Sequence, residues 1–113
     1  MYEGASLLMI ASMKAVDVAD ATVKRALADV EDMTSFHKIL MFKDLDKVAR
    51  HLATIDGVLY DSIQREFINA VMHGTMEGLR KRGYRDVEGY RAMDGGVPLG
   101  YAVEFNEPFS YIV

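Results

Sequence analysis

A row of small residues inside a helical pattern is the feature that most constrains the fold. Residues 61–82 carry apolar side chains at three- and four-residue spacings, which predicts one long amphipathic helix. Within it, Ala70, Gly74 and Gly78 share one face and form what we name the small-residue row. Each glycine inside a helix costs about 1 kcal/mol relative to alanine, so we expect another backbone to approach closely there. That backbone belongs either to a second helix or to a second copy of the chain.

Two earlier segments are also predicted to be helical. Apolar residues at three-four spacings predict a helix from about residue 6 to residue 30, although Asp17 or Asp20 could divide it into two helices. Residues 36–55 are interpreted as the next helix, because they too have an apolar side and a charged side. The Asp56-Gly57 pair that follows is a typical stop signal.

The periodicity changes near the C-terminus. From Val97 to Phe105 apolar residues alternate with small or polar ones, and a second alternation runs over residues 109–113. The turn-forming residues 106–108 separate the two runs, so the pattern predicts a small β-hairpin over about 97–113. The expected fold is therefore one α+β domain over residues 1–113, mainly α. In it, three or four helices pack around a long central helix at about 61–82.

Composition restricts the classes of function. The chain of 113 residues has no cysteine, so disulfides and thiolate metal sites are excluded. It lacks an apolar run of the roughly 18 residues that a membrane span requires, and Glu3 precedes its first short apolar run where a secretory signal would have basic residues. A net charge of −4 argues against general binding to polyanions. We expect a cytoplasmic protein with no membrane partner and no cofactor.

The charge is unevenly distributed along the chain. Residues 80–94 contain five basic and three acidic side chains, and they form the net-positive segment that follows the long helix. Arginines interleaved with tyrosines could bind a phosphate, stack on a base or contact a protein partner. Alternatively, they only complement the helix end and pair with nearby carboxylates. The basic-aromatic cluster consists of Arg80, Lys81, Arg82, Tyr84, Arg85, Tyr90 and Arg91.

His73 and Glu77 are a possible catalytic pair on the polar side of the long helix, one turn apart. A metal site needs three or four ligands, and the sequence shows no second group of ligands near this pair. Phosphate-loop, nucleophile-elbow and zinc-protease motifs are all missing from the sequence. We therefore predict no catalytic residues and no metal site, and we interpret the two side chains as a solvated polar stripe.

These patterns favour a non-catalytic binding protein that occupies a site on another macromolecule. The small-residue row and an exposed hairpin edge are its candidate self-association surfaces, so a homodimer is expected beside a protein partner. Small acidic proteins of this type include phage-encoded inhibitors and adaptors, and the suggestion of a viral inhibitor or adaptor rests on that analogy. The alternative is a nucleic-acid or nucleotide binder that uses Arg80 to Arg91, and a third hypothesis is an enzyme built on His73 and Glu77.

Overall fold

The structure is a computed structural model that describes residues 2–108, with side chains described from residue 7 onward. Three α-helices and five β-strands follow one another in this part of the chain. Their order and bounds are α1 (Tyr2–Val30), β1 (His37–Phe42), α2 (Leu45–Ala53), β2 (Thr54–Ile55), β3 (Val58–Leu59), α3 (Asp61–Lys81), β4 (Arg85–Asp94) and β5 (Val97–Asn106). The α+β class predicted from the sequence is confirmed.

The larger sheet has three antiparallel strands in the order β1-β5-β4. The last strand therefore lies in the middle, with His37 opposite Asn106 on one side and Ala92 opposite Gly100 on the other. Gly95 and Gly96 connect β4 to β5 with φ angles of 55° and 85°. Positive φ at both central residues is the geometry that a two-residue hairpin turn needs, and glycine reaches it without strain.

Helices α1 and α3 run in the same direction and touch at two of the three members of the small-residue row, Gly74 and Gly78. A Cβ added at Gly74 would lie 3.0 Å from Cγ2 of Val23, and one added at Gly78 would lie 2.6 Å from Cδ1 of Leu27. Of the two alternatives for residues 6–30, the structure has one continuous helix. Its alanines at 15, 19 and 26 are buried, so this side of α1 presents small side chains to the core. The three atoms nearest to each added Cβ belong to the side chains of Val23 and Leu27 and not to the backbone of α1.

The core lies between α3 and its three neighbours, which are α1, α2 and the inner face of the sheet. Gly89 lets the sheet approach α3, because a Cβ there would lie 2.9 Å from Cε of Met72 and 3.0 Å from Sδ of Met76. The largest fully buried side chains belong to Phe67, Phe105, Leu79, Val30, Val71, Val103 and Thr75. Burial of such apolar side chains is the main stabilising contribution to the fold, at roughly 1.5–3 kcal/mol for each one.

The prediction of a helix over residues 36–55 is wrong. The segment is strand β1, then the nine-residue helix α2, then the two-residue strand β2. Both faces of β1 carry apolar side chains, and this hides the two-residue alternation that marks a strand. In the structure it is burial that alternates along β1: Lys38 and Leu40 are buried, whereas His37, Ile39 and Met41 are exposed.

The predicted position of the hairpin is also wrong. The hairpin is formed by residues 85–94 and 97–106, so only its second strand falls within the predicted range of 97–113. Of the turn predicted at residues 106–108, Asn106 is the last residue of β5, and the amide of Glu107 donates to the carbonyl of Phe36 at 3.0 Å, so both residues continue the pairing with β1. The strand predicted over residues 109–113 lies outside the described residues.

Candidate interaction surfaces

The three basic residues at the end of α3 mostly contact their own chain. Arg80 donates to the carbonyl of Val87 at 3.1 Å, which ties the helix end to β4. Arg82 donates to the carbonyl of Leu27 at 2.9 Å, which ties it to α1. Lys81 is exposed. The two guanidinium groups therefore hold neighbouring elements together, as expected of cations near a helix C-terminus.

Arg91 lies on the inner side of the sheet, where it links β4 to α2. Its Nη2 donates to Oδ2 of Asp46 at 2.9 Å, and its Nη1 donates to the hydroxyl of Tyr101, also at 2.9 Å. The guanidinium carbon lies 5.2 Å from the centre of the Tyr101 ring, within the range of a cation–π contact. This arginine therefore has both a carboxylate and an aromatic partner within the fold.

The two tyrosines of the basic-aromatic cluster have different environments. Tyr84 is half-buried and packs edge-on against Phe105, with the ring centres 5.1 Å apart at 82°. Tyr90 lies on the opposite side of the sheet from Arg91, because successive residues of a strand point to opposite faces. Arg85 is exposed at the start of β4. The cluster thus covers both faces of β4 and the end of α3, and the structure does not gather its side chains around one point.

His73 and Glu77 are both exposed on α3. Within the described residues, there is no group of three histidine, cysteine, aspartate or glutamate side chains that could hold a metal ion.

The third member of the small-residue row, Ala70, is also exposed, whereas Gly74 and Gly78 lie against α1. Among residues 2–108 there is no helix long and apolar enough to cross a membrane.

The N-terminal half of α1 presents an exposed apolar surface. Met9, Met13 and Val16 are 65%, 64% and 55% exposed, and Ile10 beside them is 60% exposed. We name these four residues the α1 patch. They continue, at three- and four-residue spacings, the same line of side chains that is covered further along α1 where Val23 and Leu27 contact α3. The second half of this line of side chains therefore packs against α3, and the first half, in the α1 patch, is exposed within the described residues.

A shallow groove of about 370 Å³ lies next to the α1 patch. It is formed where the first turns of α1 pass the end of α2 and the strand β2. The residues that line it are Leu7, Ile10, Ala11, Lys14, His51, Leu52, Thr54, Ile55 and Asp56. The groove is mostly apolar, so it extends the exposed apolar surface of α1 sideways onto α2.

The outer face of the sheet carries a polar network that the sequence analysis missed. Glu104 is at its centre, because it accepts a hydrogen bond from the hydroxyl of Tyr90 and lies 3.3 Å from Nε2 of His37. His37 Nδ1 lies 2.8 Å from Oδ1 of Asn106, whose amide donates to Asp86 at 3.0 Å. The hydrogen bond to Glu104, together with partial burial and the negative charge of Glu104, raises the pKa of Tyr90 above 10.0.

Only the strand register could have revealed this network. His37, Tyr90 and Glu104 are far apart in sequence, and they meet because β5 pairs with both β1 and β4. The period-two pattern from Val97 to Phe105 was visible in the sequence, but the two strands that pair with it were not predicted. The network links all three strands across the outer face.

Comparisons of the chain with protein-family models, with curated proteins and with solved structures found no significant match.

Proposed function

We propose that the protein is a non-catalytic binding protein that works as a homodimer, with the α1 patch as its dimer contact. The dimer would occupy a site on another macromolecule as an inhibitor or adaptor in the cytoplasm. The observation that carries the proposal is the half-covered line of apolar side chains on α1, packed at Val23 and Leu27 and bare at Met9, Met13 and Val16. Large apolar side chains grouped on an exposed surface are typical of a protein interface.

The surface area of the molecule supports a dimer. A compact monomer of 12.7 kDa has an accessible surface of about 6,200 Å². This chain has 7804 Å² and measures 67 × 33 × 19 Å, so it is elongated and exposes about 1,600 Å² more than such a monomer. A standard interface buries about 800 Å² on each partner, and the excess is large enough to supply it.

The charges next to the α1 patch suit a contact between two copies. Lys14 is the one charged residue between Leu7 and Val16, and Asp17 follows it after three positions. In an antiparallel arrangement that sets Met13 against Val16 of the second copy, Lys14 comes within one helical turn of the other copy's aspartate. Opposite charges then border the apolar contact, and a two-fold axis repeats the pair on both sides.

The mass in solution tests the proposal. Sedimentation equilibrium over a wide range of concentrations is expected to give twice 12.7 kDa, with dissociation on dilution. Met13→Lys should give the monomer mass, because it places a charge in the middle of the apolar contact.

Met93→Lys is the matched control. Met93 is also a half-exposed methionine, 51% against 64% for Met13, but it lies in the hairpin and outside the α1 patch. This variant should remain dimeric, and circular dichroism should show unchanged helix content in both variants. A monomer mass for the unmodified chain at every concentration would refute the proposal. Loss of the dimer in the Met93 variant alone would place the contact elsewhere and refute it equally.

A further inference from the structure

Methionine provides all the side-chain sulfur of this chain, which has eight methionines and no cysteine. A peroxide can therefore oxidise the protein at sulfur only on its methionines. Of the seven methionines from Met9 onward, Met9 and Met13 are the most exposed, at 65% and 64%. The other five are more covered: Met93, Met41, Met33, Met76 and Met72. An oxidant in solution therefore has its best access at the two methionines of α1.

Both of these methionines belong to the α1 patch, where they lie four residues apart on one side of the helix. In the antiparallel arrangement described above, Met13 faces Val16 of the second copy, and the two-fold axis passes close to it. Met13 of each copy therefore lies near the middle of the contact. Met9 lies one helical turn, about 5.4 Å, further from the axis. The two methionines thus have nearly equal exposure in one molecule but different places in the dimer.

Oxidation of Met13 replaces an apolar sulfur by a polar group. A lone pair of the sulfur attacks one oxygen of hydrogen peroxide, the O–O bond breaks, and the other oxygen leaves as water after it takes up the proton of the transferred oxygen. Sulfur loses two electrons and the peroxide gains them. The product is methionine sulfoxide, which is polar, and a dithiol-dependent reductase can return the two electrons and release the oxygen as water.

The fold itself does not depend on these two sulfurs. Neither Met9 nor Met13 is among the residues that form the core or pack against it. Helix α1 is held to α3 further along, where Val23 and Leu27 contact the two glycines of the small-residue row. A sulfoxide oxygen at either methionine therefore stays in water when the chain is a monomer. In the dimer the oxygen on Met13 would be enclosed among apolar side chains, which costs free energy, so oxidation weakens association and leaves folding unchanged.

We infer that Met13 is an oxidation site that controls the dimer. Peroxide converts it to the sulfoxide and releases the two copies, and reduction of the sulfoxide restores their contact. Methionine-rich contacts are sensitive to this change because an adaptable apolar side chain becomes a polar one. The dimer contact covers Met13, so oxidation proceeds through the free monomer and a concentrated dimer resists it. The inference rests on the dimer proposed above.

The experiment treats the full chain with hydrogen peroxide, removes the oxidant and measures the dimer dissociation constant by sedimentation equilibrium. Mass spectrometry of peptides gives the extent of oxidation at each methionine. Complete oxidation of Met13 should raise the dissociation constant at least about tenfold, because each copy brings one sulfoxide into the contact. Incubation with methionine sulfoxide reductases for both sulfoxide epimers and dithiothreitol should restore the original value. Circular dichroism should show the same helix content in all three samples.

Two matched variants separate Met13 from the other methionines. Leucine has nearly the volume and the helix propensity of methionine but has no sulfur to oxidise. Met13→Leu should dimerise like the unmodified chain, and peroxide should change its dissociation constant less than about twofold. Met9→Leu removes the equally exposed sulfur one turn away and should keep the full response. Both variants retain every other methionine, so oxidation elsewhere in the chain is the same in each.

The rate of oxidation gives a second test that needs no variant. Well above the dissociation constant, Met13 of the unmodified chain should be oxidised more slowly than well below it, in proportion to the monomer fraction. Met93 lies in the hairpin and outside the α1 patch, so its rate should be the same at both concentrations. Equal rates for Met13 at both concentrations would overturn the inference, and this measurement decides the matter if a leucine variant does not fold.

The outcomes distinguish the inference from the proposed function. A reduced chain that dimerises, with a dissociation constant that oxidation of Met13 leaves unchanged, overturns the inference and leaves the dimer in place. A response that is lost in Met9→Leu and kept in Met13→Leu, or a loss of helix content on oxidation, overturns it as well. A reduced chain that is monomeric at every concentration overturns both.

Discussion

The contact between α1 and α3 at Gly78 leads to a prediction whose magnitude can be worked out. A Cβ at this position would lie 2.6 Å from Cδ1 of Leu27, whereas carbon atoms in contact are normally about 3.5–4.0 Å apart. Gly78→Ala therefore requires the end of the Leu27 side chain to move by about 1 Å. Overpacking of this kind costs about 1–3 kcal/mol. We expect the lower part of that range, because Leu27 is only half-buried and can shift toward solvent.

The same substitution also stabilises the helix. Alanine is about 1 kcal/mol better than glycine inside a helix, so the net effect of Gly78→Ala is a loss of between zero and about 1 kcal/mol. In a chain that already carries Leu27→Ala, the obstructing carbon is gone. Gly78→Ala should then raise the free energy of unfolding by about 1 kcal/mol. The two backgrounds should differ by about 1–2 kcal/mol, which is the coupling energy of the pair.

Urea unfolding of the four chains in this cycle gives the coupling energy, provided that the slope with urea concentration is unchanged. Ala70→Gly calibrates the cycle, because Ala70 is exposed in the same row of α3 and should show the helix effect alone, a loss of about 1 kcal/mol. An equal gain from Gly78→Ala in both backgrounds would mean that α1 does not approach α3 at Gly78. The reasoning on the small-residue row would then be refuted.

Three further predictions concern polar groups. Thr75 is fully buried with no hydrogen-bond partner for its hydroxyl among the described residues, so Thr75→Val should stabilise the protein by about 1 kcal/mol in urea unfolding, and an equal or lower stability would contradict this. Glu107 is partly exposed and accepts a hydrogen bond from the buried Lys38, so Glu107→Gln leaves the ammonium group buried without its negative partner and should cost about 2 kcal/mol. Lys38→Met removes that buried charge and should cost less; a larger loss for Lys38→Met in urea unfolding would contradict this. The raised pKa of Tyr90 should fall toward 10.0 in Glu104→Gln, as measured by NMR titration of the tyrosine ring carbons, and an unchanged value would count against the hydrogen bond. Because this folded-state pKa is raised, the stabilisation is complete below pH 10.0 and is lost as the pH rises past the folded-state value.

The long helix illustrates what a local pattern can predict. Its expected range of about 61–82 differs by one residue from the observed Asp61–Lys81. Its row of Ala70, Gly74 and Gly78 predicted that another backbone would approach closely, and in the structure the side chains of Val23 and Leu27 lie against the two glycines. Both inferences use information within one segment, namely the helical period and the cost of glycine. The identity of the approaching helix needed information from the rest of the chain, and the sequence left a second copy equally open.

Strand β1 illustrates why other parts could not be predicted. Its inward face consists of Lys38, Leu40 and Phe42. A lysine at an inward position breaks the alternation of apolar and polar residues from which a strand is predicted. Lys38 can be buried only because Glu107 and the carbonyl of Ser35 accept its hydrogen bonds. Glu107 is 69 residues away in sequence, so no window around β1 contains the reason for its structure.

Strand β4 was missed for a related reason. Gly89 in its centre and the many charges around it are unfavourable in an isolated strand. The glycine is explained by Met72 and Met76 of α3, which occupy the space where its side chain would be. The basic-aromatic cluster shows the same limitation. The sequence gives its charges, but the carbonyls of Leu27 and Val87 and the carboxylate of Asp46 that engage its arginines come from elsewhere in the chain.

The central place of β5 in the sheet has a consequence for biosynthesis. Neither β1 nor β4 has a strand partner until residues 97–106 have been made, although β1 leaves the ribosome long before them. The helices can form as they emerge, whereas the sheet closes only after β5 has been made, by contacts such as that between His37 and Asn106, which are far apart in the sequence. In the interval the β1 segment has no strand partner on either edge, so its backbone groups stay exposed until β5 pairs with it.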